Sequence, residues 1–256
     1  MATDSLQRFS REPAPARAAI PIAPTSEHAP SRILVVFAHS DDAEFTSGGS
    51  IARWTDAGVS VGYVVCTDGS KGGDALELDD ATMGELREAE QRAAAAILGV
   101  EEVFFLRHPD GGLSQVQHLK HELAGIIRRW RPERLLAWDP WRPYQLHPDH
   151  RAAGLAAIEA VLVAGNPRLF RDLAAKGLAA HRVEELYLFG TDYPDVWVDT
   201  SATFERKVAA ISAHCSQTKL LTRWIEAMQR CNAAYGLACG CTYAEAFKVL
   251  RPFCEA

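Results

Sequence analysis

The chain has 256 residues, of which 48% are hydrophobic and 23% are charged, and this composition is typical of a globular enzyme. The formal net charge of −6 argues against a nucleic-acid partner bound through a broad basic face. No apolar run approaches the roughly 18 residues of a membrane span, and we expect no secretory signal. The six cysteines are unevenly spaced, which favours free thiols in a reducing compartment and predicts a cytoplasmic protein.

The first 30 residues differ in composition from the rest of the chain. Proline and alanine dominate them without periodicity, so we predict a flexible tail over 1–30 and a single domain over 31–256. The predicted strands are 32–38, 59–66, 102–107, 134–138, 185–190 and 195–198. The predicted helices are 48–57, 84–98, 115–130, 149–164, 201–213, 218–235 and 242–250. This alternation indicates an α/β fold with a parallel sheet covered by helices on both faces.

A polar cluster follows the first predicted strand. Residues 33–37 are apolar and mostly β-branched or aromatic, and His39, Asp41 and Asp42 come shortly after them, before a helix that opens near Gly48. Ligands in open α/β sheets bind outside the carboxyl ends of the strands. The three side chains therefore stand where a binding site is expected.

A second polar cluster, His147-Pro148-Asp149-His150, lies far downstream after another predicted strand. Two imidazoles and one carboxylate, from His39, His150 and Asp42, suit zinc, and three protein ligands leave one position for a water molecule. Such a metal lowers the pKa of its water towards about 7 and polarises a carbonyl oxygen. The two clusters together predict a catalytic metal centre.

The neighbouring polar residues would then supply acid–base chemistry. Asp41 is adjacent to a ligand and could take a proton from the water. His147 could stabilise an oxyanion or protonate a leaving group, and Asp149 could fix an imidazole tautomer. Taken alone, either cluster could instead be a helix cap or a turn. A dinucleotide-binding domain is disfavoured because the carboxylates after the first strand would repel a pyrophosphate, whereas a metal-free scaffold stays open.

The residues of both clusters resemble the signature motifs of the LmbE-like (PIG-L) zinc-dependent N-deacetylases. The first motif is Ala38-His39-Ser40-Asp41-Asp42-Ala43-Glu44 with Gly48-Gly49, and the second is His147-Pro148-Asp149-His150-Arg151. Weaker matches lie at 67–69, 87–100, 109–111, 214–217 and 243–247, so the resemblance spans about residues 32 to 250. It implies a Rossmann-like, three-layer α/β/α fold with a mostly parallel sheet. One departure is Ser40, where the family usually has proline.

The resemblance also implies a role for each residue of the site. The metal ligands would be His39, Asp42 and His150, holding Zn²⁺ or another divalent metal such as Fe²⁺. Asp41 would be the general base, and His147 the acid or electrophilic partner, oriented by Asp149. The residues that we predict to contact the substrate are Arg87, Asp110, Tyr144 and His214.

The function implied is hydrolysis of an N-acyl group, most simply acetyl, from an amino sugar or amino-sugar conjugate in a biosynthetic pathway. The alternative is a zinc amidase or deformylase that acts on a non-sugar or thiol-conjugate amide. The partner would be this small molecule, with no nucleic acid and no membrane span, and a homo-oligomer stays open. The sequence does not disclose the acyl length, the native metal or the role of the Cys239–Cys241 pair.

Overall fold

The computed structural model describes residues 30–73, 77–219 and 221–253. The predicted tail over 1–30 lies outside these ranges except for its last residue. The site, the sheet and the helices discussed below all lie within the described ranges. None of the helices in this part of the chain has both the length and the apolar character needed to cross a bilayer.

Seven strands form one sheet in the order β3-β2-β1-β4-β5-β7-β6. Their bounds are β1 Arg32–Phe37, β2 Ser60–Thr67, β3 Glu102–His108, β4 Arg134–Trp138, β5 Glu185–Phe189, β6 Val196–Asp199 and β7 Ala244–Leu250. The first five strands pair in parallel, and β7 pairs antiparallel with both β5 and β6. The mostly parallel α/β sheet predicted from the sequence is confirmed, and all six predicted strands are present within one residue at each end.

Helices cover both faces of the sheet. Their bounds are α1 Asp42–Asp56, α2 Asp80–Leu98, α3 Leu119–Trp130, α4 Pro148–Ala164, α5 Arg171–Ala175, α6 Phe204–Ser212, α7 Cys215–Thr218 and α8 Trp224–Cys239. Successive side chains of a strand point to opposite faces, and β1 shows how this builds two cores. Leu34 and Val36 pack with buried residues of α3 and α4, whereas Ile33 and Val35 pack with those of α1 and α2.

The helix predicted over 242–250 is wrong, because residues 244–250 form the strand β7 instead. Alanine, glutamate and lysine favour a helix in isolation. In the folded chain this segment fills the gap between β5 and β6 and hydrogen-bonds to both. The buried Glu245 carboxylate accepts hydrogen bonds from the backbone amides of Gly49 and Ser50, at 3.0 and 2.7 Å. It also forms an ion pair with the Lys207 ammonium group at 2.6 Å. Pairing on both edges therefore overrides the local preference.

The first helix begins at Asp42, six residues earlier than predicted. The two glycines that suggested a helix start lie inside α1, where they allow close packing. A Cβ atom at Gly49 would lie 2.7 Å from the Cβ of Thr200, so a larger side chain would collide there. The consequence for function is that Asp42 belongs to the first turn of α1, directly at the carboxyl end of β1.

Replacing Gly154 with alanine is expected to destabilise the protein by about 1–3 kcal/mol, because overpacking displaces the backbone. The new Cβ would lie 2.4 Å from the carbonyl oxygen of Trp138, where α4 crosses β4. Gly125→Ala is the matched control, since it is also helical and its Cβ would meet only Leu173 at 3.5 Å. That variant is expected to be stabilised by about 0.5–1 kcal/mol. Urea unfolding measures the free energy of unfolding of both variants. An equal change in Gly154→Ala and Gly125→Ala would contradict this packing argument.

Candidate active site

The carboxyl ends of β1, β3 and β4 bring the two predicted clusters together, and Asp42 lies at their centre. One of its oxygens, Oδ2, accepts hydrogen bonds from the backbone amides of Ala38 and His39 and from the indole of Trp138, at 3.1, 3.0 and 3.0 Å. The other oxygen, Oδ1, lies 3.3 Å from Nε2 of His150. Burial would raise the pKa of Asp42, but the two histidines outweigh it and hold that pKa well below the usual range. The carboxylate is therefore charged, with one oxygen left to bind a ligand.

His39 is oriented by carboxylates on one side of its ring. Its Nε2 lies 3.1 Å from Oδ1 of Asp110 and 3.3 Å from Oδ2 of Asp149, and its Nδ1 lies 3.7 Å from Oδ2 of Asp42. Burial would lower the pKa of His39, yet the three carboxylates raise it well above 6.5. In the neutral ring with its proton on Nε2, shared with the carboxylates, Nδ1 keeps the lone pair that a metal ligand needs, which is the usual arrangement for a metal-ligating histidine.

His147 and His150 form a stacked pair at the start of α4. Their ring centroids are 4.4 Å apart at an interplanar angle of 17°, and Trp138 stacks on the other face of His150 at 4.0 Å and 10°. His147 is the N-cap of α4, and its Nδ1 accepts a hydrogen bond of 3.3 Å from the backbone amide of Asp149. Burial and the neighbouring imidazoles His39 and His150 lower the pKa of His147 to about 4.

The position of Asp149 differs in detail from the expected one. The sequence predicts that its side chain orients His147, whereas the structure places the carboxylate against His39 and only the backbone amide against His147. The same carboxylate accepts hydrogen bonds from the backbone amides of Gly111 and Leu113, at 2.6 and 3.0 Å. Asp149 thus connects the loop after β3 to the first histidine.

Asp41, the predicted base, lies beside this cluster with its side chain 18% exposed. It is the N-cap of α1 and has φ 101° and ψ −26°, in the left-handed region. Its amide donates a hydrogen bond of 3.1 Å to Oε1 of Gln91, and its Oδ2 lies 3.5 Å from Nη2 of Arg87. Burial raises the pKa of Asp41 to about 6, against the opposing effect of Arg87, and the charge of Asp42 adds to the rise. This carboxylate is therefore suited to accept a proton near neutral pH.

Arg87, which we predicted to contact the substrate, is buried behind Asp41. Its guanidinium donates hydrogen bonds to the backbone carbonyls of Gly69, at 3.0 Å, and of Ser40. It therefore holds the turn that carries Asp41 in place.

Replacing Arg87 with leucine is expected to lower kcat by about 10²-fold, because a small displacement of a reacting group has an effect of this size. Bound metal is expected to stay at the wild-type level. Arg92→Leu is the matched control, since Arg92 lies on the same helix and its exposed side chain pairs with Glu88 at 3.2 Å. Steady-state kinetics with metal analysis measures both variants, and an unaltered kcat in Arg87→Leu would contradict this role.

The other predicted substrate contacts take three different positions. Asp110 lies inside the cluster, against His39, and accepts a hydrogen bond from the amide of Lys71 at 3.0 Å. His214 is fully buried, with Nε2 3.3 Å from Oε2 of Glu44. Although burial would lower the pKa of His214, the carboxylates of Glu44 and then Asp41 raise it. Tyr144 is 84% exposed on the loop before α4.

Two residues that the sequence did not single out belong to the site. Gln91 links the amide of Asp41 to the carboxylate of Glu44, to which it donates a hydrogen bond of 2.9 Å. Trp138 contributes the stacking and the indole donor described above. Trp138 could have been found from the sequence, because it is the last residue of a predicted strand. Gln91 lies in the middle of a helix, and no sequence pattern indicates its role.

The donor set fits a divalent metal. Asp42 keeps one oxygen without a backbone donor, and Asp110 and Asp149 orient His39 so that its second nitrogen, Nδ1, lies on the Asp42 side of the ring. The ligand atoms of His39, His147 and His150 also lie within 4.8 Å of one another. Nitrogen and carboxylate oxygen are the donors of catalytic zinc sites. This cluster of histidine and aspartate could therefore hold a metal ion.

Taken together, the fold and the site define an α/β enzyme whose polar centre, suited to a metal, lies at the carboxyl edge of its sheet. Residues 34–161 match the family model described as PIG-L, GlcNAc-PI de-N-acetylase. The diacetylchitobiose deacetylase of Thermococcus kodakarensis is 34% identical over 219 residues, covering 85% of this chain and 82% of the relative. The chain therefore belongs to the PIG-L (LmbE-like) family, and it is a hydrolase of the N-deacetylase class.

Solved structures share this fold, and one of them is named as a deacetylase. The N,N′-diacetylchitobiose deacetylase of Pyrococcus horikoshii, solved with an inhibitor, has a TM-score of 0.83 and 31% identity, covering 87% of this chain and 84% of the other. GalB of Pseudomonas putida, a 4-carboxy-2-hydroxymuconate hydratase, has a TM-score of 0.74 and 25% identity, covering 88% and 98%. The second likeness shows that a similar chain can carry out a different reaction.

Proposed function

We propose that this enzyme removes the N-acetyl group from a small amino sugar or amino-sugar conjugate, with a divalent metal, most suitably zinc, held by His39, Asp42 and His150. The observation that carries the proposal is the meeting of Asp42 Oδ1 and His150 Nε2 at 3.3 Å beside the carboxylate-oriented His39. The naming of a relative as a diacetylchitobiose deacetylase supports an acetylated amino sugar as substrate.

Asp41 acts as the general base in this proposal. When bound, the metal supplies a Lewis acid that polarises the amide carbonyl and increases the acidity of water. Asp41 is the partly exposed member of the Asp41–Asp42 pair, whereas Asp42 is fixed by three donors. Asp41 therefore takes the proton of the attacking water and delivers it to the departing amine.

His147 stabilises the oxyanion that develops on the amide oxygen. Its Nδ1 accepts a hydrogen bond from the amide of Asp149, so the proton of the neutral ring lies on Nε2. This Nε2–H is then a donor for a developing negative charge. Removal of one such donor typically lowers the rate by about 10²–10³-fold.

Exposed apolar side chains beside the site supply the surface for the sugar. Trp141, Tyr144 and Leu146 lie on the segment that leads into His147, and all three are exposed. This segment is tied to the loop after β5 by the ion pair of Arg142 and Asp192, at 3.1 Å. Aromatic rings of this kind stack on the apolar face of a sugar, and Tyr144 keeps the role of substrate contact on this ground.

The test is release of free amine from a panel of N-acetyl, N-formyl and longer N-acyl amino sugars, together with N-acetylated amines that lack a sugar. We expect release from N-acetyl amino sugars by zinc-loaded wild type and little release by Asp41→Asn. Release confined to the amines that lack a sugar would contradict the proposed substrate class. Preference for the N-formyl compounds would favour the deformylase alternative.

A further inference from the structure

A second group of metal-binding side chains lies outside the candidate active site. His108 is the last residue of β3, His118 is the N-cap of α3, and Glu122 lies in the first turn of that helix. One ligand atom from each lies within 4.8 Å of the other two. We propose that these three residues form a second binding site for a divalent transition metal, with zinc as the ion that two imidazoles and a carboxylate suit best.

The distances are close to those that a metal requires. Oε2 of Glu122 lies 2.7 Å from Nε2 of His108 and 3.8 Å from Nε2 of His118. Tetrahedral ligands at about 2.0–2.2 Å from a zinc ion are separated from each other by about 3.4 Å. The two observed distances lie on either side of that value, so each of these contacts would change by less than about 1 Å on binding, one opening and the other closing. The third pair, the ring nitrogens of His108 and His118, lies within 4.8 Å.

The burial of the three side chains allows this adjustment. The His108 side chain is only 11% exposed and is fixed at the strand end, whereas the side chains of His118 and Glu122 are 66% and 34% exposed. His118 and Glu122 are four residues apart, so α3 presents both on one face. One rigid donor from the strand and two adjustable donors from the helix therefore make a site that small side-chain movements can close around an ion. Its exposed side leaves room for a water molecule as a fourth ligand.

The site has a consequence for the loop between its ligands. His108 precedes the loop 109–117 and His118 follows it, so a bound ion would tie the two ends of that loop together. The loop carries Asp110, which contacts His39, and the amides of Gly111 and Leu113. A metal that binds the folded protein but not the unfolded chain raises the free energy of unfolding. We therefore expect the second ion to stabilise this loop.

The experiment counts zinc on the whole chain. Wild type and His118→Ala are freed of metal with a chelator, reloaded with zinc, dialysed and analysed for metal per chain. His118→Ala is expected to bind one equivalent of zinc less than wild type, because the site loses one of its three donors while the protein keeps its fold. His121→Ala is the matched control, since His121 lies on the same helix but pairs with Asp172 at 2.8 Å. It is expected to bind as much zinc as wild type.

The result is the difference in zinc content per chain between wild type and His118→Ala, rather than the total zinc content of either protein. It does not depend on the metal of the active site, so the second site and the proposed deacetylation succeed or fail separately. Wild-type zinc content in His118→Ala would overturn the proposal. A loss of one equivalent in both His118→Ala and His121→Ala would also overturn it, because the effect would not be specific to this cluster.

A second measurement gives a spectroscopic signature. In His118→Cys loaded with Co²⁺, a thiolate replaces one imidazole, and a cobalt–thiolate charge-transfer absorption is expected in excess of that of wild type. The matched control is His121→Cys, which is expected to show no such excess. Equal spectra for the two cysteine variants would contradict the ligand assignment.

Glu122→Gln is expected to lose the same equivalent of zinc as His118→Ala, since an amide is a far weaker ligand than a carboxylate.

Discussion

Replacing Asp41 with asparagine is expected to lower kcat by about 10²–10⁴-fold, the usual contribution of a general base. The backbone of Asp41 has φ 101°, and asparagine tolerates the left-handed region better than other non-glycine residues. The amide of residue 41 still reaches Gln91. The substitution therefore removes the proton acceptor with little effect on the turn. Steady-state kinetics, metal analysis and thermal unfolding together separate a catalytic effect from a structural one.

Asp56→Asn is the control for this variant. Asp56 is the last residue of α1, about 20 Å along the helix from its first turn at 1.5 Å per residue. Its side chain is 57% exposed, and it is expected to leave kcat unchanged. An Asp41→Asn enzyme with nearly wild-type kcat and full metal content would show that another group is the base.

Replacing Asp42 with asparagine is expected to lower the affinity for the proposed active-site metal by more than about 10²-fold. This is a larger effect than the loss of a residue that orients a metal ligand without binding the metal itself. The amide oxygen of asparagine can still accept the three hydrogen bonds that Oδ2 accepts from Ala38, His39 and Trp138. The NH₂ group would then take the place of Oδ1 towards His150. The fold keeps its contacts, while the proposed metal site loses a charged ligand.

The measurement is retention of one zinc equivalent after dialysis, together with activity at rising zinc concentration. In wild type, a chelator is expected to abolish activity and added zinc to restore it. Asp110→Asn is the graded control, because Asp110 contacts Nε2 of His39 and is proposed to orient that ring, so its loss is expected to weaken binding by about 10–100-fold. Full activity of metal-free wild type would contradict the metal-dependent mechanism. Unaltered metal affinity in Asp42→Asn would contradict its assignment as a ligand.

The sequence predicts the edge of the sheet on which the site lies, because strand ends in an α/β pattern can be located from apolar periodicity. His39, Asp42 and His150 meet there, although more than 100 positions separate the first motif from the second. The neighbours of these residues are less predictable. Gln91 is one polar residue in the middle of α2, and only the packing of that helix brings it to Asp41.

The same reasoning explains where prediction from the sequence fails. Residues 244–250 have the composition of a helix, and their conformation depends on the two strands beside them. The carboxylate of Asp149 could face any of several imidazoles from the sequence alone, and the turn at Gly111 decides that it faces His39. Local patterns therefore predict elements and motifs, whereas contacts between distant segments decide orientation.

The position of β7 bears on how the chain folds as it leaves the ribosome. Every residue of the two signature motifs has been synthesised once the chain reaches Arg151, but β6 joins the described sheet through β7, which begins nearly a hundred residues later. Glu245 of that strand also fixes the helix that carries Asp42. A nascent chain that ends before residue 244 thus has all the side chains of the proposed active site without the strand that completes the sheet around them. Activity is therefore expected to emerge late in translation, in a single step with closure of the sheet.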